Sequence, residues 1–198
     1  ILCGQKSGAR PQGVLRGRER HEGRQVLIFG AEAVRNPRAH CRAHRSHNAA
    51  EKQIAFVSER LGEPQVFLMN ADGTNQRPLT SQAGGACQPA WSPDGTQLLF
   101  ISPCARKAAT YRESALYRIN ADGSEVKLLL QLEGGVFDVT WSPSGLVFVS
   151  FVSNRPQIFY ADANGQNVQR LSVTSASDRQ PTWSPDGERL VFLNVSRV

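Results

Sequence analysis

The clearest absence in this chain is histidine beyond residue 50. All four histidines lie in residues 1–50, and residues 51–198 contain none. A Ser-His-Asp or Cys-His nucleophilic site therefore cannot be assembled within the larger part of the chain. A Gly-x-Ser-x-Gly elbow, a phosphate-cradling glycine loop and paired carboxylates at a defined spacing are also missing from the sequence. We therefore expect neither enzymatic activity nor a cofactor from these residues.

Long hydrophobic runs are the second absence. No apolar stretch approaches the ~18 residues that a membrane-spanning helix needs, and no helical periodicity is visible after Gln53. The composition, 40% hydrophobic and 20% charged, is typical of a globular protein. The chain starts at Ile1 and stops at Val198, directly after a strand-like run. We therefore expect it to be a piece of a longer protein.

Positive charge is scarce outside one end of the chain. The net charge is +6, but residues 1–50 hold ten Lys and Arg against three Glu, which leaves thirteen against fourteen acidic residues in residues 51–198. Nucleic-acid binding would therefore have to rest on residues 1–50 alone. The arginines there lack the interleaved aromatic residues of a stacking platform. We predict no nucleic-acid partner.

Residues 1–50 form a basic leader that differs in character from the rest. Few large apolar residues interrupt its arginines, and Gln25–Gly30 is its one convincing strand candidate. We predict that the leader is disordered or loosely attached. Its motif His40-Cys41-x-x-His44-x-x-His47 has zinc-ligand types, but the spacing fits no closed zinc site and neighbouring arginines repel a cation. We therefore predict no metal site.

Residues 51–198 contain two sequence motifs that recur together. One runs Trp-Ser-Pro-Asp/Ser-Gly and begins at Trp91, Trp141 and Trp183. The other resembles Asn-Ala-Asp-Gly and occupies 70–73, 120–123 and, more loosely, 162–165. In both motifs the second copy follows the first by 50 residues, and the third follows the second by 42 residues. A period in this range indicates an array of small structural modules.

Each module is predicted to contain four short strands, which we denote A to D. Strand A ends in Trp-Ser-Pro, B follows the glycine, C ends in Asn-Ala-Asp-Gly, and D comes last. Residues 88–130 and 138–172 each supply a complete set, residues 53–80 supply B to D, and residues 181–194 supply A and B. Four antiparallel strands per ~40–50 residues are typical of a propeller blade. The fold class predicted for 51–198 is therefore an all-β propeller fragment, a partial ring with two complete and two partial blades.

The residues of the repeat resemble one family closely. The pattern Ile-Ala-Phe-Val-Ser-x-Arg, Val-Phe-Leu-Met-Asn-Ala-Asp-Gly and Pro-x-Trp-Ser-Pro-Asp-Gly looks like the WD40-like (PD40) repeat of TolB-type β-propellers, over about residues 53–198. The resemblance implies a propeller that is periplasmic, extracellular or at the cell surface. The chain departs from the pattern in that Ser144 replaces the turn aspartate, the strand after Ser144 slips by about one residue, and 103–113 is an insertion.

The repeat residues themselves are interpreted as structural. Trp91, Trp141 and Trp183 are predicted to fill the gaps between neighbouring blades. The Asp-Gly pairs supply the backbone conformations of tight turns. A calcium-binding loop requires several oxygen ligands at close spacing, and each of these turns offers one or two, so a structural role is favoured over calcium binding.

Cys87 and Cys104 are predicted to form a disulfide. Strands A and B make a hairpin about residues 94–95, and depending on the turn Cys87 lies opposite Ser102 or Cys104. Either register brings the two sulfurs near each other at the open end of the hairpin. The bridge would tether the base of the 103–113 insertion. It would also suit a secreted propeller.

A binding surface is predicted on one side of the propeller. A–B and C–D turns share one side and are short, whereas B–C and D–A loops share the other and vary in length, as recognition loops on rigid scaffolds do. The cationic and aromatic residues that this places on the variable side are Arg60, Arg106, Lys107, Tyr111, Arg112, Arg155 and Arg179. We expect this surface to bind an anionic protein or glycan partner.

Three functions follow from the repeat and its resemblance. The favoured one is a non-catalytic scaffold for protein–protein or glycan interaction in the periplasm or outside the cell. The second is the substrate-gating propeller of a prolyl-oligopeptidase-like serine peptidase, which requires a Gly-x-Ser-x-Gly elbow beyond Val198. The third is the extracellular sensor propeller of a membrane receptor, which requires a transmembrane helix before Ile1.

Overall fold

The computed structural model shows a chain made of β-strands and turns wherever it is described. The described residues are 14–21, 24–30, 45–48, 53–104, 111–172, 176–184 and 188–195. The sixteen strands are, in chain order, β1 (Val14–His21), β2 (Arg24–Gly30), β3 (Arg45–Asn48), β4 (Gln53–Ser58), β5 (Gln65–Asn70), β6 (Arg77–Pro78), β7 (Cys87–Trp91), β8 (Gln97–Ser102), β9 (Ala115–Asn120), β10 (Lys127–Leu130), β11 (Phe137–Ser142), β12 (Gly145–Val152), β13 (Arg155–Ala161), β14 (Gln169–Arg170), β15 (Ser177–Trp183) and β16 (Arg189–Val195).

The strands form four sheets of four strands each, which we number as blades 1 to 4. Blades 1, 2 and 3 are antiparallel meanders built from β3 to β6, β7 to β10 and β11 to β14. Blade 4 has the order β1-β2-β16-β15, and its β2 runs parallel to β16. The three meanders confirm the prediction of four-stranded antiparallel blades.

The leader contributes strands to the first and last blades. Its Arg45–Asn48 pairs with β4 in blade 1, and β1 and β2 complete blade 4, so sheets predicted with three and two strands have four. Strand pairing is made by backbone N–H and C=O groups, so polar segments can complete a sheet that the apolar pattern leaves short. Residues 40–44 of the motif His40-Cys41-x-x-His44-x-x-His47 lie outside the described residues.

The inner strands match the sequence prediction most closely. Strands β8 and β9 have the bounds that the sequence predicts, 97–102 and 115–120. The D strands β6 and β14, predicted over 76–80 and 168–172, are two residues long. The inner strands carry continuous buried apolar side chains, such as Leu98 to Ile101 in β8. The D strands have exposed or half-buried side chains and lie at the sheet edge, so hydrophobic pattern does not define their ends.

The A strands of blades 2, 3 and 4 each contain a bulge that the sequence pattern does not predict. Gln88, Asp138 and Gln180 lie three residues before the repeated tryptophans and have φ values of 55°, 49° and 52°. The A–B pairing register shifts at each of these positions. An extra residue in one strand bends it and increases its twist. The repeat therefore builds the same kink into three consecutive blades.

The core lies between the blades. Trp91 is 7% exposed and belongs to one apolar cluster with Ala55 and Leu68 of blade 1 and Leu98 and Phe100 of its own blade. A second cluster joins blades 2, 3 and 4, with Trp141 and Trp183 packed against it. These contacts agree with the interpretation of the tryptophans as packing residues. Aromatic side chains of this size contribute much of the apolar area that such a core removes from water.

The A–B turn of blade 3 is shorter than that of blade 2. Trp141 pairs with Leu146, five residues on, whereas Trp91 pairs with Leu98, seven residues on, so the slip predicted as about one residue is two residues. The blade 2 turn is held by the Asp94 carboxylate, which Ser144 lacks. The tight turn places Gly145 at φ 128°, and a Cβ there would lie 2.6 Å from the Ala161 carbonyl oxygen.

Candidate functional site

The connections between strands divide into two faces, as predicted from the topology. On the face that we call the turn face, A–B and C–D turns contact each other: Ala121 N donates to Thr96 O, and the Arg77 guanidinium donates to Ala121 O. On the opposite side, which we call the loop face, B–C and D–A loops of adjoining blades are bonded, with Cys104 N donating to Gly84 O and Val136 N to Ser114 O. These contacts join the turn face across blades 1 and 2 and the loop face across blades 1 to 3.

Aspartates on the turn face are engaged by their own turns. The Asp94 carboxylate accepts hydrogen bonds from the Ser92 hydroxyl at 2.6 Å and from the Thr96 N–H and hydroxyl, which lower the pKa of Asp94 below its usual value. Hydrogen bonds from the hydroxyl of Thr74 or Ser124 and then from the N–H of the same residue lower the pKa of Asp72 and Asp122. These contacts support the interpretation of the Asp-Gly pairs as turn residues.

Cys87 and Cys104 form a disulfide, and their Cα atoms are 6.2 Å apart. Cys87 pairs with Ile101 rather than with Ser102 or Cys104, because the bulge at Gln88 shifts the hairpin register by one residue. Cys104 lies two residues beyond the end of β8, where the chain can curve back toward β7. The bridge thus joins the first residue of β7 to the base of the 103–113 insertion on the loop face.

Arg60 lies in the B–C loop of blade 1. Its guanidinium carbon is 4.7 Å from the centroid of the Phe67 ring and 5.7 Å from that of Phe56, and the two rings pack against each other. Arg60 Nε donates a hydrogen bond of 3.0 Å to the Ser58 hydroxyl. The exposed side chain is therefore held over aromatic rings.

Arg112 lies at the far end of the insertion and reaches from blade 2 to blade 3. Its guanidinium carbon is 4.4 Å from the Phe151 ring centroid, and its Nη2 donates to Asn154 Oδ1 at 2.7 Å. The Phe151 ring packs on Phe137, which in turn stacks on Tyr111. Tyr111 and Arg112, two of the predicted binding residues, are thus brought together on one aromatic cluster.

The other predicted binding residues are placed differently. Arg155 is exposed at the start of β13, on the loop face. Arg179 was predicted in a D–A loop, but it is a half-buried residue inside β15, paired with Leu193. The loop prediction fails there because the strand begins at Ser177, before the apolar pattern does. Arg106 and Lys107 lie outside the described residues.

Acidic residues share the loop face with these arginines. Glu59, Glu63, Glu113 and Glu133 are exposed in the same loops, and Glu63 accepts a hydrogen bond from Gly84 N at 2.9 Å. The sequence prediction of this surface did not include these glutamates. The face therefore carries charges of both signs in its described part, and individual arginines rather than a uniform positive field distinguish it.

Sequence reasoning also missed the aromatic partners of the arginines. Phe67 and Phe137 are buried, while Phe56 and Phe151 are half-buried beneath the guanidinium groups. Phe151 extends the apolar run of β12 toward the loop face, and that excess length was the available signal. Within the described ranges no group of three or more His, Cys, Asp or Glu side chains could hold a metal ion. The same residues include no helix able to cross a membrane.

Comparisons with known proteins agree with this architecture. The family model described as "Eukaryotic translation initiation factor eIF2A" matches residues 82–195. A TolB homolog from Chlorobium chlorochromatii is 29% identical over 144 residues, which cover 72% of this chain and 31% of the homolog. An uncharacterized peptidase, YuxL, from Bacillus subtilis is 27% identical over 71% of this chain and 20% of its own length. This chain therefore spans a third or less of these relatives.

A solved structure shows the same fold. The TolB structure from Agrobacterium tumefaciens superposes with a TM-score of 0.67 at 21% identity, covering 77% of this chain and 53% of that chain. At this identity the likeness concerns the fold alone. It confirms the prediction of a TolB-like β-propeller.

Proposed function

Because this chain belongs to the WD40-like propeller family described as eukaryotic translation initiation factor eIF2A and has the fold of a TolB-like β-propeller, we propose that it is a non-catalytic scaffold that binds a partner protein through its loop face. The observation that carries this proposal is the contrast between the two faces. Aspartate side chains of the turn face are used within their own short turns. The loop face presents connections that differ in length from blade to blade, mounted on a rigid core.

The compartment is proposed from the cysteine pair. Disulfides persist in the periplasm and outside the cell and are rare in a reducing cytosol. The Cys87–Cys104 bridge therefore supports a periplasmic or extracellular scaffold, as the TolB relative does. It argues against the cytosolic setting in which translation takes place. The partner is an anionic protein in our proposal, with an anionic glycan as the alternative.

The test is site-specific cross-linking. A photo-reactive amino acid replaces Leu61, which is 60% exposed on the loop face, or Val126, which is 43% exposed on the turn face. Each variant is incubated with an envelope extract of the native host. We expect a discrete adduct from position 61 and none from position 126. An adduct from position 126 alone, or from neither, overturns the proposal.

A charge reversal sharpens this test. Changing Arg106, Lys107 and Arg112 together to glutamate should weaken capture of the same partner, because an anionic surface would then meet like charge. The thermal midpoint of the variant serves as the folding control. Unchanged capture by a folded variant would show that the partner does not bind through the positive charges of the insertion.

A gating propeller of a serine peptidase is the second candidate. The likeness to YuxL is the observation that favours it, although the match covers 20% of that protein. The parent protein would then carry a hydrolase domain with a Gly-x-Ser-x-Gly elbow. Hydrolysis of a chromogenic peptide by the full-length parent, and its loss on changing the elbow serine, decides between the two.

A further inference from the structure

We propose that Arg60 and Arg112 are two preformed carboxylate-binding positions that read an acidic peptide segment of the partner. This inference rests on the proposed function, because it names the chemistry that the loop face recognises. It differs from a general cationic surface in assigning recognition to two separate arginines, one on blade 1 and one bridging blades 2 and 3.

Both guanidinium groups are oriented before any ligand arrives. Each lies over phenylalanine rings at 4.4 or 4.7 Å, and each donates one hydrogen bond to a neutral oxygen, on Asn154 for Arg112 and on Ser58 for Arg60. An arginine side chain loses rotamer entropy when it is fixed. Part of this cost is met in the free protein here, so a ligand has less to lose on binding.

Neither guanidinium has an acidic partner in the part of the chain that the structure describes. No carboxylate there lies within ion-pair distance of Arg60 or Arg112, although four glutamates occupy the same loops. A guanidinium carries five N–H donors. One is used at each position in the free protein. The remaining donors form the planar fork that matches a carboxylate with two parallel hydrogen bonds.

The surroundings favour a peptide over a glycan. Sugars are commonly held by stacking on open aromatic faces, but the guanidinium groups lie over the Phe67 and Phe151 rings, and Tyr111 stacks on Phe137. An exposed leucine, Leu61, adjoins Arg60 and offers an apolar contact. A segment that alternates acidic and apolar side chains complements this arrangement.

The experiment measures fluorescence polarisation of labelled probes with the purified chain. The probes are a peptide of repeated Glu-Leu-Gly units, its Gln-Leu-Gly counterpart, and a galacturonate oligomer. The variants are Arg60→Gln, Arg112→Gln, Arg112→Lys and, as matched control, Arg189→Gln, which removes an exposed arginine beside the turn face. The thermal midpoint of each variant reports its folding.

We expect the glutamate peptide to bind at least about tenfold more tightly than the glutamine peptide. Arg112→Gln should weaken it about tenfold because a charge-assisted, half-buried bond is lost, and Arg60→Gln about threefold because the site is exposed. Arg112→Lys should also weaken binding, since an ammonium lacks the planar fork. Arg189→Gln should have no effect.

Equal binding of the two peptides by the wild-type chain overturns the inference, as does a glutamate affinity that Arg60→Gln and Arg112→Gln leave unchanged. Binding of the galacturonate oligomer alone, with dependence on both arginines, replaces the peptide with a glycan. The proposed function fails separately. If position 61 cross-links a partner that both glutamine variants still capture, the proposed scaffold function is supported and the carboxylate-binding role of Arg60 and Arg112 is refuted. If no partner cross-links at position 61, the scaffold itself falls.

Discussion

A single carboxylate decides how the chain turns between strands A and B. In blade 2, Asp94 accepts hydrogen bonds from Ser92 and Thr96 and holds a turn of four residues, 93–96. Blade 3 has Ser144 in that place and a turn of two residues, 143–144. Ionised carboxylates accept stronger hydrogen bonds than neutral groups do. The longer turn therefore depends on the charge of Asp94.

This dependence predicts an effect of acid on stability. Hydrogen bonds lower the pKa of Asp94 in the folded chain, so their stabilisation is present above the unfolded-state pKa of about 4 and is lost as pH falls through the lower folded pKa. We expect the urea midpoint to fall less below pH 4 in Asp94→Asn than in the wild type. Removing the exposed Glu133 carboxylate with Glu133→Gln should leave the fall unchanged. An identical acid response in all three proteins would contradict this assignment.

At the scale of the strand, strands C and D are joined by polar side chains in blades 1 and 3 and by apolar side chains in blade 2. In blade 3, the buried Gln157 side chain accepts from Arg170 and donates to Ala176 O, while Ser172 Oγ accepts from Ile158 N. Gln65 and Thr80 make the corresponding bonds in blade 1. Blade 2 has buried Ala115 and Leu130 at these places, and its D strand is longer.

The polar pair Gln157 and Ser172 should be replaceable by an apolar pair only when both residues are changed together. Gln157→Ala removes the hydrogen-bond partner of the Ala176 carbonyl oxygen and a bond each from Arg170 and the buried Ser172 hydroxyl, and it should lower the free energy of unfolding by about 2 kcal/mol. Adding Ser172→Leu reproduces the apolar pair of blade 2. We expect the double variant to lose about 1 kcal/mol less than the two single changes together, because contacting residues are not additive. Urea unfolding of the four proteins measures this coupling, and strict additivity would refute it.

A strand can be predicted from sequence to the extent that its residues show the hydrophobic pattern of a buried strand. The bounds of β8 and β9 follow from apolar side chains that both faces of the sheet bury. β3 has no such pattern, because its sequence Arg-Ser-His-Asn is polar and it is joined to β4 through its backbone. Arg179 shows the same limit, since a polar stretch that looks like a loop is the first part of β15.

For the whole molecule, one covalent bond ties the insertion to the propeller. The Cys87–Cys104 bridge spans 17 residues of sequence, and the insertion beyond it supplies Tyr111 and Arg112 to the loop face. A bridge closing a loop of this size typically contributes about 3 kcal/mol by restricting the unfolded chain. The bond therefore bears on both the stability of blade 2 and the position of the candidate site.

We expect Cys104→Ser to lower the free energy of unfolding by about 3 kcal/mol and to weaken glutamate-peptide binding, because the base of the insertion is released. Cys87→Ser should have the same effect, and the double variant no more than either. Intact mass with and without reductant, followed by peptide mapping, establishes the pairing in the wild type. Free thiols at both positions in protein secreted by the native host would remove the argument for an oxidising compartment.

The sequence by itself determined the repeat, the propeller class, the inner strands and the nearness of two cysteines. Each of these depends on local turn chemistry or on alternating burial, which neighbouring residues specify. Only the tertiary structure decided the A-strand bulges, the pairing of leader strands and the seating of Arg60 and Arg112 on aromatic rings. Those features arise where residues from different strands or blades meet. Contacts such as that of Arg112 with Asn154, 42 residues away, leave no local pattern in the chain.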